Sequence, residues 1–360
     1  MPLAKYPERR DETRDAEPIQ CGNRRSDPLR RFVPTPYGIT LQVMGRAISV
    51  ETNSPKILEL TLQFFASYQR MSQGDPEFRW RIVSESNCFT ELGANTSAFS
   101  DPDLSFVNMG QRSFLAVDAE ARLGVAFLGK GFSEAPEPRF INRHPLDILF
   151  CMSAASLGLT SLSAACVALG GKGVLLLGEP NSGKTTASYV AATLGMEFLA
   201  DQVVFLELTS AGIRAWGDPL PAVFRPATVD FFPELRTELR SSSYGDLQFY
   251  YFDKSRLQSK PARSITPLCS VFLRRAIAVE PCLVPMAPGE LSRHLAASLL
   301  FKDGERFESQ QAAVFARLAE VPSYCLSYGE DPATAAAFIR DLLVDHAGEN
   351  DHRMQNSGKP

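Results

Sequence analysis

The sequence is poor in the residues that build metal sites and disulfide frameworks. Its four histidines are scattered along 360 residues. Its seven cysteines form no CxxC pair and are odd in number, so neither a zinc site nor a disulfide framework is predicted. We expect most cysteines to be buried, small apolar residues in a reducing compartment.

The sequence also has no excess of positive charge. Its formal net charge is −4, whereas a nucleic-acid-binding domain is usually basic. The first residues, MPLAKYPERRDETRD, lack the apolar segment of a secretory signal. We therefore expect a cytoplasmic protein that binds no nucleic acid.

One uncharged run, from Ile148 to Gly171, is long enough to cross a bilayer. It contains many serine, threonine and glycine residues, which suit a buried helix and strand better than a segment surrounded by lipid. We therefore predict no membrane association.

Hydrophobic residues make up 44% of the chain and charged residues 22%, as in ordinary globular proteins. Residues 1–31 and 346–360 are polar and lack apolar periodicity, so we predict two disordered tails. Between them we predict a small α+β domain at 32–143 and an α/β domain at 144–345. The smaller domain has no recognised chemical motif.

Apolar periodicity predicts the elements of both domains. In the first domain it predicts strands at 37–43, 78–83, 113–117 and 124–128 and a helix at 55–71. In the second it predicts strands at 163–169, 174–177, 203–206, 269–274 and 322–328. The helices predicted there are 147–157, 184–194, 287–300, 307–319 and 332–344.

The chemistry is concentrated in Gly178-Glu179-Pro180-Asn181-Ser182-Gly183-Lys184-Thr185, here called the phosphate loop. This segment matches GxxxxGK[ST] and lies between an apolar strand and an alanine-rich helix, as the motif requires. Its glycines permit backbone angles and close approaches that a Cβ would block. Successive N–H groups and the helix N-terminus are then expected to bind the phosphates of a nucleoside triphosphate.

The side chains at the end of the loop have separate predicted roles. Lys184 reaches the β- and γ-phosphates, and the Thr185 hydroxyl ligates Mg²⁺. Thr186 either contacts the nucleotide or only caps the first turn of the helix. ATP and Mg²⁺ are therefore the predicted cofactors.

An acidic partner for the metal is predicted at Asp201. It follows the helix and a short apolar strand, which places it on the next strand after the loop. Glu207, at the end of the strand predicted at 203–206, is the rival. Asp201 is preferred because it lies nearer to the expected active end, although an aspartate that only caps a turn remains the alternative.

From Leu162 to Glu207 the chain resembles the catalytic domain of HPr kinase/phosphorylase and related serine-kinase-like proteins. The matching text is LSAACVALGGKGVLLLGEPNSGKTTASYVAATLGMEFLADQVVFLE. The run Val271-Phe272-Leu273-Arg274-Arg275 and the last helix are also similar to diverged members. The resemblance implies a P-loop kinase domain of the HPr kinase and phosphoenolpyruvate carboxykinase type, preceded here by the smaller α+β domain.

The chain departs from that family at two positions. The family usually has two adjacent aspartates after the helix, whereas Asp201 is followed here by Gln202. Where the family tends to have a histidine, this chain has Ser163. Gln202 cannot accept a proton as a carboxylate does, so phosphoryl transfer carries over less firmly than nucleotide binding.

The predicted function is transfer of the γ-phosphate of ATP to a hydroxyl of a protein, a peptide serine or a small molecule. Lys184 and Asp201 are the candidate catalytic residues. Arg225, Arg274 and Arg275 either stabilise charge on the γ-phosphate or are ordinary surface arginines.

The alternative is a nucleotide-dependent binding protein with little or no catalysis, which the two departures favour. A transporter-type ATPase and a GTPase are disfavoured, since no LSGGQ-like or NKxD motif is present. HPr-kinase relatives are often oligomeric, so the resemblance also suggests that this chain forms a homo-oligomer.

Overall fold

The fold is that of a computed structural model, which describes part of the chain. The described residues are 33–66, 68–71, 75–84, 97–101, 103–109, 113–128, 145–218, 222–233, 235, 240–244, 247–252, 263–276, 280–300, 305–329 and 331–356. The disorder predicted for residues 1–31 lies outside them. Within them the chain has a mixed α/β fold, as predicted.

Six of the seven helices of the described residues lie at positions that the apolar periodicity predicts, and the short helix at Pro226–Phe231 was not predicted. They are α1 (Pro55–Phe64), α2 (Pro145–Ala154), α3 (Lys184–Thr193), α4 (Pro226–Phe231), α5 (Pro288–Ser298), α6 (Glu305–Leu318) and α7 (Pro332–Asn356). A 3₁₀ turn at Ala155–Leu157 continues α2.

The first sheet is built from the strands that precede α2. They are β1 (Tyr37–Val43), β2 (Arg46–Thr52), β3 (Gln69–Met71), β4 (Phe78–Ser84), β5 (Ser97–Ser100), β6 (Leu104–Asn108), β7 (Phe114–Asp118) and β8 (Leu123–Leu128). Their order across the sheet is β3-β1-β2-β4-β8-β7-β6-β5.

The second sheet carries the phosphate loop. Its strands are β9 (Leu159–Ser163), β10 (Ala165–Leu169), β11 (Lys172–Leu177), β12 (Glu197–Ala200), β13 (Val203–Thr209), β14 (Gly212–Gly217), β18 (Ser264–Arg275), β19 (Cys282–Pro285) and β20 (Ser323–Tyr328). The main order is β12-β10-β11-β18-β14-β13-β9, and β20 pairs with β18 and β19. A third sheet holds β15 (Ala222–Phe224), β16 (Arg240–Tyr244) and β17 (Leu247–Phe252).

Two helix predictions were wrong in extent. The helix predicted at 55–71 ends at Phe64, since Gln69–Met71 pairs with β1 instead. The disorder predicted from residue 346 was wrong for 346–356, which continue α7. That segment has few apolar residues to pack, but it contains no proline, and extending an existing helix adds one hydrogen bond for each residue fixed.

Helix α2 joins the first sheet to the second within one core cluster. The ring of Phe150 lies 6.1 Å from that of Trp80 on β4 and 4.9 Å from that of Phe205 on β13. The indole of Trp80 also donates a hydrogen bond to Oγ of Ser153 on α2, at 3.1 Å. The boundary at 143/144 stays a prediction, but the two sheets it separates share this core.

The uncharged run at 148–171 is divided between α2, the 3₁₀ turn, β9 and β10. In the part of the chain that the structure describes, no helix has the length and apolarity needed to span a bilayer.

Strands β11, β12, β18 and β20 of the second sheet run in one direction, and the edge at which they end is here called the carboxyl edge. Strand β10 pairs antiparallel with both β11 and β12, so those two strands are parallel to each other. Strand β18 is parallel to β11, and β20 is parallel to β18. Because ligands of α/β sheets bind outside the carboxyl ends of the strands, this edge is where a site is expected.

Candidate functional site

The phosphate loop connects the carboxyl end of β11 to the N-terminus of α3. Three of its residues have left-handed backbone angles: φ is 149° at Gly178, 69° at Asn181 and 90° at Gly183. Within the loop, the N–H of Ser182 donates to the carbonyl of Glu179 at 3.1 Å, which closes a tight turn. The glycine positions therefore have the conformational role that the motif predicts.

The glycines are also required by close packing. A Cβ on Gly178 would lie 2.9 Å from the carbonyl oxygen of Leu273 and would overlap the Ser182 hydroxyl. A Cβ on Gly183 would overlap the hydroxyl of Tyr328. The loop thus rests directly on β18 and on the end of β20, and any side chain at either glycine would lift it.

The loop has the donors that an anion needs. The backbone N–H groups of Gly183, Lys184 and Thr185 have no protein acceptor among the described residues. They lie at the N-terminus of α3, where the helix dipole adds partial positive charge. In other proteins, free N–H groups at a helix N-terminus are donors to which phosphate groups bind.

Lys184 folds back over the start of the loop. Its ammonium donates to the carbonyls of Gly178, at 2.6 Å, and Glu179, at 3.1 Å. Burial lowers the pKa of Lys184 to about 8, because the charged form loses water without gaining an anionic partner. A phosphate at this position would supply the missing counter-charge.

The two threonines after the lysine differ in their contacts. No described residue bonds the hydroxyl of Thr185, so this oxygen can ligate a cation. The hydroxyl of Thr186 lies 3.2 Å from that of Thr228 on α4. The helix cap is Gly183, and the hydrogen bond of the Thr186 hydroxyl crosses to α4 and does not lie at the helix N-terminus.

Asp201 follows β12 at the carboxyl edge, beside the phosphate loop. Cys166 of β10 pairs with Leu175 of β11 on one side and with Ala200 on the other, which sets Asp201 level with the end of β11. Two strand spacings, ~10 Å, separate the backbones of β11 and β12. Asp201 is 1% exposed, and its Oδ2 accepts a hydrogen bond from the N–H of Val223 at 3.1 Å.

The two positions that depart from the family lie at the same edge. Ser163 pairs with Val203 at the start of β13. The carbonyl of Gln202 accepts a hydrogen bond from the N–H of Ala164 at 3.2 Å. The structure thus brings Asp201, Gln202 and Ser163 together.

Glu207, the rival acid, lies towards the opposite end of β13. It is four residues along the strand from Val203, ~13 Å at the rise of a β-strand. Its carboxylate accepts from Arg46 at 2.8 Å and from the indole of Trp216 at 2.9 Å. These bonds tie β2 to the second sheet, which is a structural role.

The three candidate arginines occupy two places. Arg274 and Arg275 end β18 at the carboxyl edge and are exposed. The guanidinium of Arg275 lies over the ring of Phe231, 5.8 Å from its centre. Arg225 precedes α4 and is also exposed.

A cleft opens beside the phosphate loop, on the side of Thr186, and is here called the side cleft. Its lining residues come from the phosphate loop, from α4, from the starts of α3 and α7 and from the ends of β18 and β20: Gly183, Thr186, Thr228, Phe231, Arg275, Tyr328 and Pro332.

Tyr328 is one of the site residues that the sequence did not predict. Its hydroxyl donates a hydrogen bond of 2.7 Å to the carbonyl of Ser182, inside the loop. Burial raises the pKa of Tyr328, and the opposing effect of Arg275 is smaller, so the hydroxyl stays a donor at neutral pH. The sequence predicts only the strand that carries it, because the contact joins residues 146 positions apart.

The described residues contain no group of three or more His, Cys, Asp or Glu side chains placed to hold a metal. Mg²⁺ in nucleotide sites is held by one or two protein oxygens together with phosphate oxygens. The unbonded hydroxyl of Thr185 suits that chemistry. Asp201 is at the correct edge, but it is buried and already bonded to Val223.

Comparison with known proteins adds little to this geometry. No family model and no curated protein matches the sequence. Among solved structures, the chain is similar to the Hpr(Ser) kinase/phosphatase from Coxiella burnetii, with 11% sequence identity and a TM-score of 0.29. The match covers 54% of this chain and 96% of that one. The likeness is distant, and a TM-score this low supports no conclusion about the reaction or its residues.

Proposed function

We propose that this chain binds Mg²⁺-ATP through the phosphate loop and transfers the γ-phosphate to a hydroxyl of a protein, a peptide serine or a small molecule. One observation carries the proposal: Gly183, Lys184 and Thr185 present unbonded N–H groups at the N-terminus of α3, beside the ammonium of Lys184. Phosphoryl transfer depends mainly on positioning and charge neutralisation, and this arrangement supplies both.

Each residue then has a role in this reaction. The N–H groups orient the phosphates, and Lys184 exchanges its two carbonyl partners for β- and γ-phosphate oxygens. Thr185 would hold Mg²⁺, which neutralises charge on the same oxygens. Asp201 would orient the metal shell or the acceptor hydroxyl from the neighbouring strand end.

A P-loop kinase domain of the HPr kinase type is the fold that this proposal implies for the second sheet. The parallel strands β11, β12, β18 and β20, with the loop at their carboxyl edge, support it.

One observation favours the second candidate, a nucleotide-dependent binding protein with little catalysis. Asp201 is 1% exposed and bonded to Val223, and the next residue is Gln202 rather than a second acid. A base must reach the proton that it removes. A general base typically contributes roughly 10²–10⁴-fold, so its loss would slow the transfer without preventing nucleotide binding.

The test is ATP turnover by the full chain with Mg²⁺, with phosphate release and transfer of ³²P to protein both followed. Lys184→Ala and Asp201→Asn are compared with wild type, and Lys172→Ala is the control. Lys172 starts β11 and therefore lies at the opposite end of that strand from the loop.

A kinase loses turnover in Lys184→Ala and in Asp201→Asn but keeps it in Lys172→Ala. ATP binding without turnover, lost only in Lys184→Ala, selects the binding protein. Turnover that survives Lys184→Ala contradicts both candidates.

A further inference from the structure

We propose that the side cleft is the nucleobase subsite, with Phe231 as its stacking platform and Arg275 as its cationic cover. This inference rests on the proposed function, since it concerns the same nucleotide.

The direction of the nucleotide follows from Lys184. Its ammonium lies at the carbonyls of Gly178 and Glu179, at the start of the loop. Because this lysine binds the β- and γ-phosphates, the terminal phosphate lies at that end. The α-phosphate, and the nucleoside attached to it, must therefore leave the loop at the other end, where Thr186 begins to line the side cleft.

The far wall of the cleft has the chemistry that a base requires. Helix α4 buries Val229, at 2% exposure, but leaves 47% of Phe231 exposed beside the loop. Every base has a π-face that stacks on such a ring, and arginine contributes cation–π attraction to the same stack. No described residue makes an ion pair with Arg275, so its guanidinium can move to cover a ligand.

The distance between the Phe231 ring and the Arg275 guanidinium shows that Arg275 must move to admit a base. A base placed between them needs about 7 Å, twice the van der Waals separation of stacked atoms. The guanidinium lies 5.8 Å from the ring centre. Arg275 must therefore swing outwards by about 1 Å, which its long and exposed side chain permits.

The near wall holds the polar groups. The hydroxyls of Thr186 and Thr228 are 3.2 Å apart and join the loop helix to α4. Their position between the loop and the aromatic ring is where the sugar would pass, and both can bond its hydroxyls. The bond between them also fixes α4, and therefore Phe231, relative to the loop.

The experiment compares binding of Mg²⁺-ATP with binding of inorganic triphosphate, which has the phosphates but no base. Both are titrated calorimetrically into wild type, Phe231→Ala, Phe231→Tyr, Arg275→Ala and Lys184→Ala. The controls are Leu194→Ala, which removes another apolar side chain that is 49% exposed, and Arg340→Ala, which removes an arginine whose side chain is 50% exposed.

We expect Phe231→Ala to weaken ATP binding about tenfold, the loss of one base stack (~1.4 kcal/mol), and to leave triphosphate binding unchanged. Arg275→Ala should have a smaller effect of the same kind, and Phe231→Tyr should restore ATP binding. Lys184→Ala should weaken both ligands.

Three outcomes would overturn the inference. If Phe231→Ala weakens neither ligand while Lys184→Ala weakens both, the base binds elsewhere but the proposed function stands. If Phe231→Ala weakens both ligands equally, the ring supports the loop and does not stack on a base. If wild type binds neither ligand, the proposed function fails and the subsite fails with it.

Discussion

Gly183 packs so closely against the Tyr328 hydroxyl that we predict non-additive effects on stability when both residues are replaced. Tyr328→Phe removes the hydrogen bond to the Ser182 carbonyl but keeps the ring. Losing a buried hydrogen bond in this way should lower the free energy of unfolding by about 1–2 kcal/mol. Gly183→Ala should lower the free energy of unfolding further, because φ is 90° at this position and the added Cβ would overlap the Tyr328 hydroxyl.

The magnitudes follow from separating those two effects. The left-handed angle costs an alanine about 1–2 kcal/mol. Displacing the hydroxyl adds overpacking and the lost hydrogen bond, about 2 kcal/mol more. In a Tyr328→Phe background the hydroxyl is absent and the nearest ring atom, Cζ, is 3.4 Å from the Cβ, so only the backbone strain remains.

Urea denaturation of the four proteins, followed by fluorescence of the two tryptophans, measures this double-mutant cycle. We expect the double variant to be about 2 kcal/mol more stable than the sum of the two single changes predicts. Independent sites add within about 0.5 kcal/mol. Additive losses would therefore refute the claim that Tyr328 shapes the loop at Gly183.

Three further predictions concern charge and packing. The pKa of Lys184 is lowered to about 8, so in the free protein the fraction of Lys184 that is charged falls about tenfold between pH 7 and pH 9. Bound phosphates favour that charged form, so ATP affinity should decline by up to tenfold over this range, and a flat profile, or the same decline in Lys184→Arg, would contradict the role. The effect on stability has the opposite sign. The folded pKa of Lys184 lies below the unfolded value of about 10.5, so between pH 8 and 10.5 the unfolded chain binds more protons than the folded chain. The free energy of unfolding therefore rises with pH across this range. Arg46→Ala leaves the Glu207 carboxylate with less counter-charge in the interior and should lower stability by about 2 kcal/mol; an unchanged urea midpoint would show that the bond at 2.8 Å contributes nothing. Gly124→Ala places a Cβ 2.7 Å from the indole of Trp80 and should lower the melting temperature through overpacking of about 1–3 kcal/mol, whereas Gly289→Ala, whose Cβ meets no atom within 4 Å, should not.

Local signals accounted for the elements around the site. The apolar run before Gly178 and the alanine-rich run after it predicted β11 and α3 almost to the residue. Such segments are predictable because strand and helix periods are written in adjacent residues. Helix α1 was predicted too long because residues 69–71 pair with β1, a tertiary contact that the local sequence pattern does not indicate.

Strands with weak or mixed patterns were missed for the same reason. The short strands β15 and β19 gave no clear alternation, and each forms by pairing with a strand that is distant in sequence. Strand β2 was missed although Ile48 and Val50 alternate with Ser49 and Glu51. The order of the strands in the sheets could not be predicted from the sequence either, since the parallel pairing of β11 with β18 joins segments about ninety residues apart.

The site was predictable only in part. A motif places the residues of the phosphate loop beside one another, and the short spacing to Asp201 indicated the next strand. The hydrogen bond that Asp201 accepts from Val223 depends on β15, which the sequence did not predict. Tyr328 and Phe231 enter through long-range packing, so only the folded structure brings them to the loop.

Hydrogen exchange of the full chain, with and without saturating Mg²⁺-ATP, tests the central claim most directly, because it reports which backbone N–H groups the nucleotide engages. We predict that ATP slows exchange in peptides that cover 178–186 and leaves the first sheet, 37–128, unchanged. Slowing confined to other segments, or no slowing at all at saturating ATP, would contradict the claim that this loop binds the phosphates.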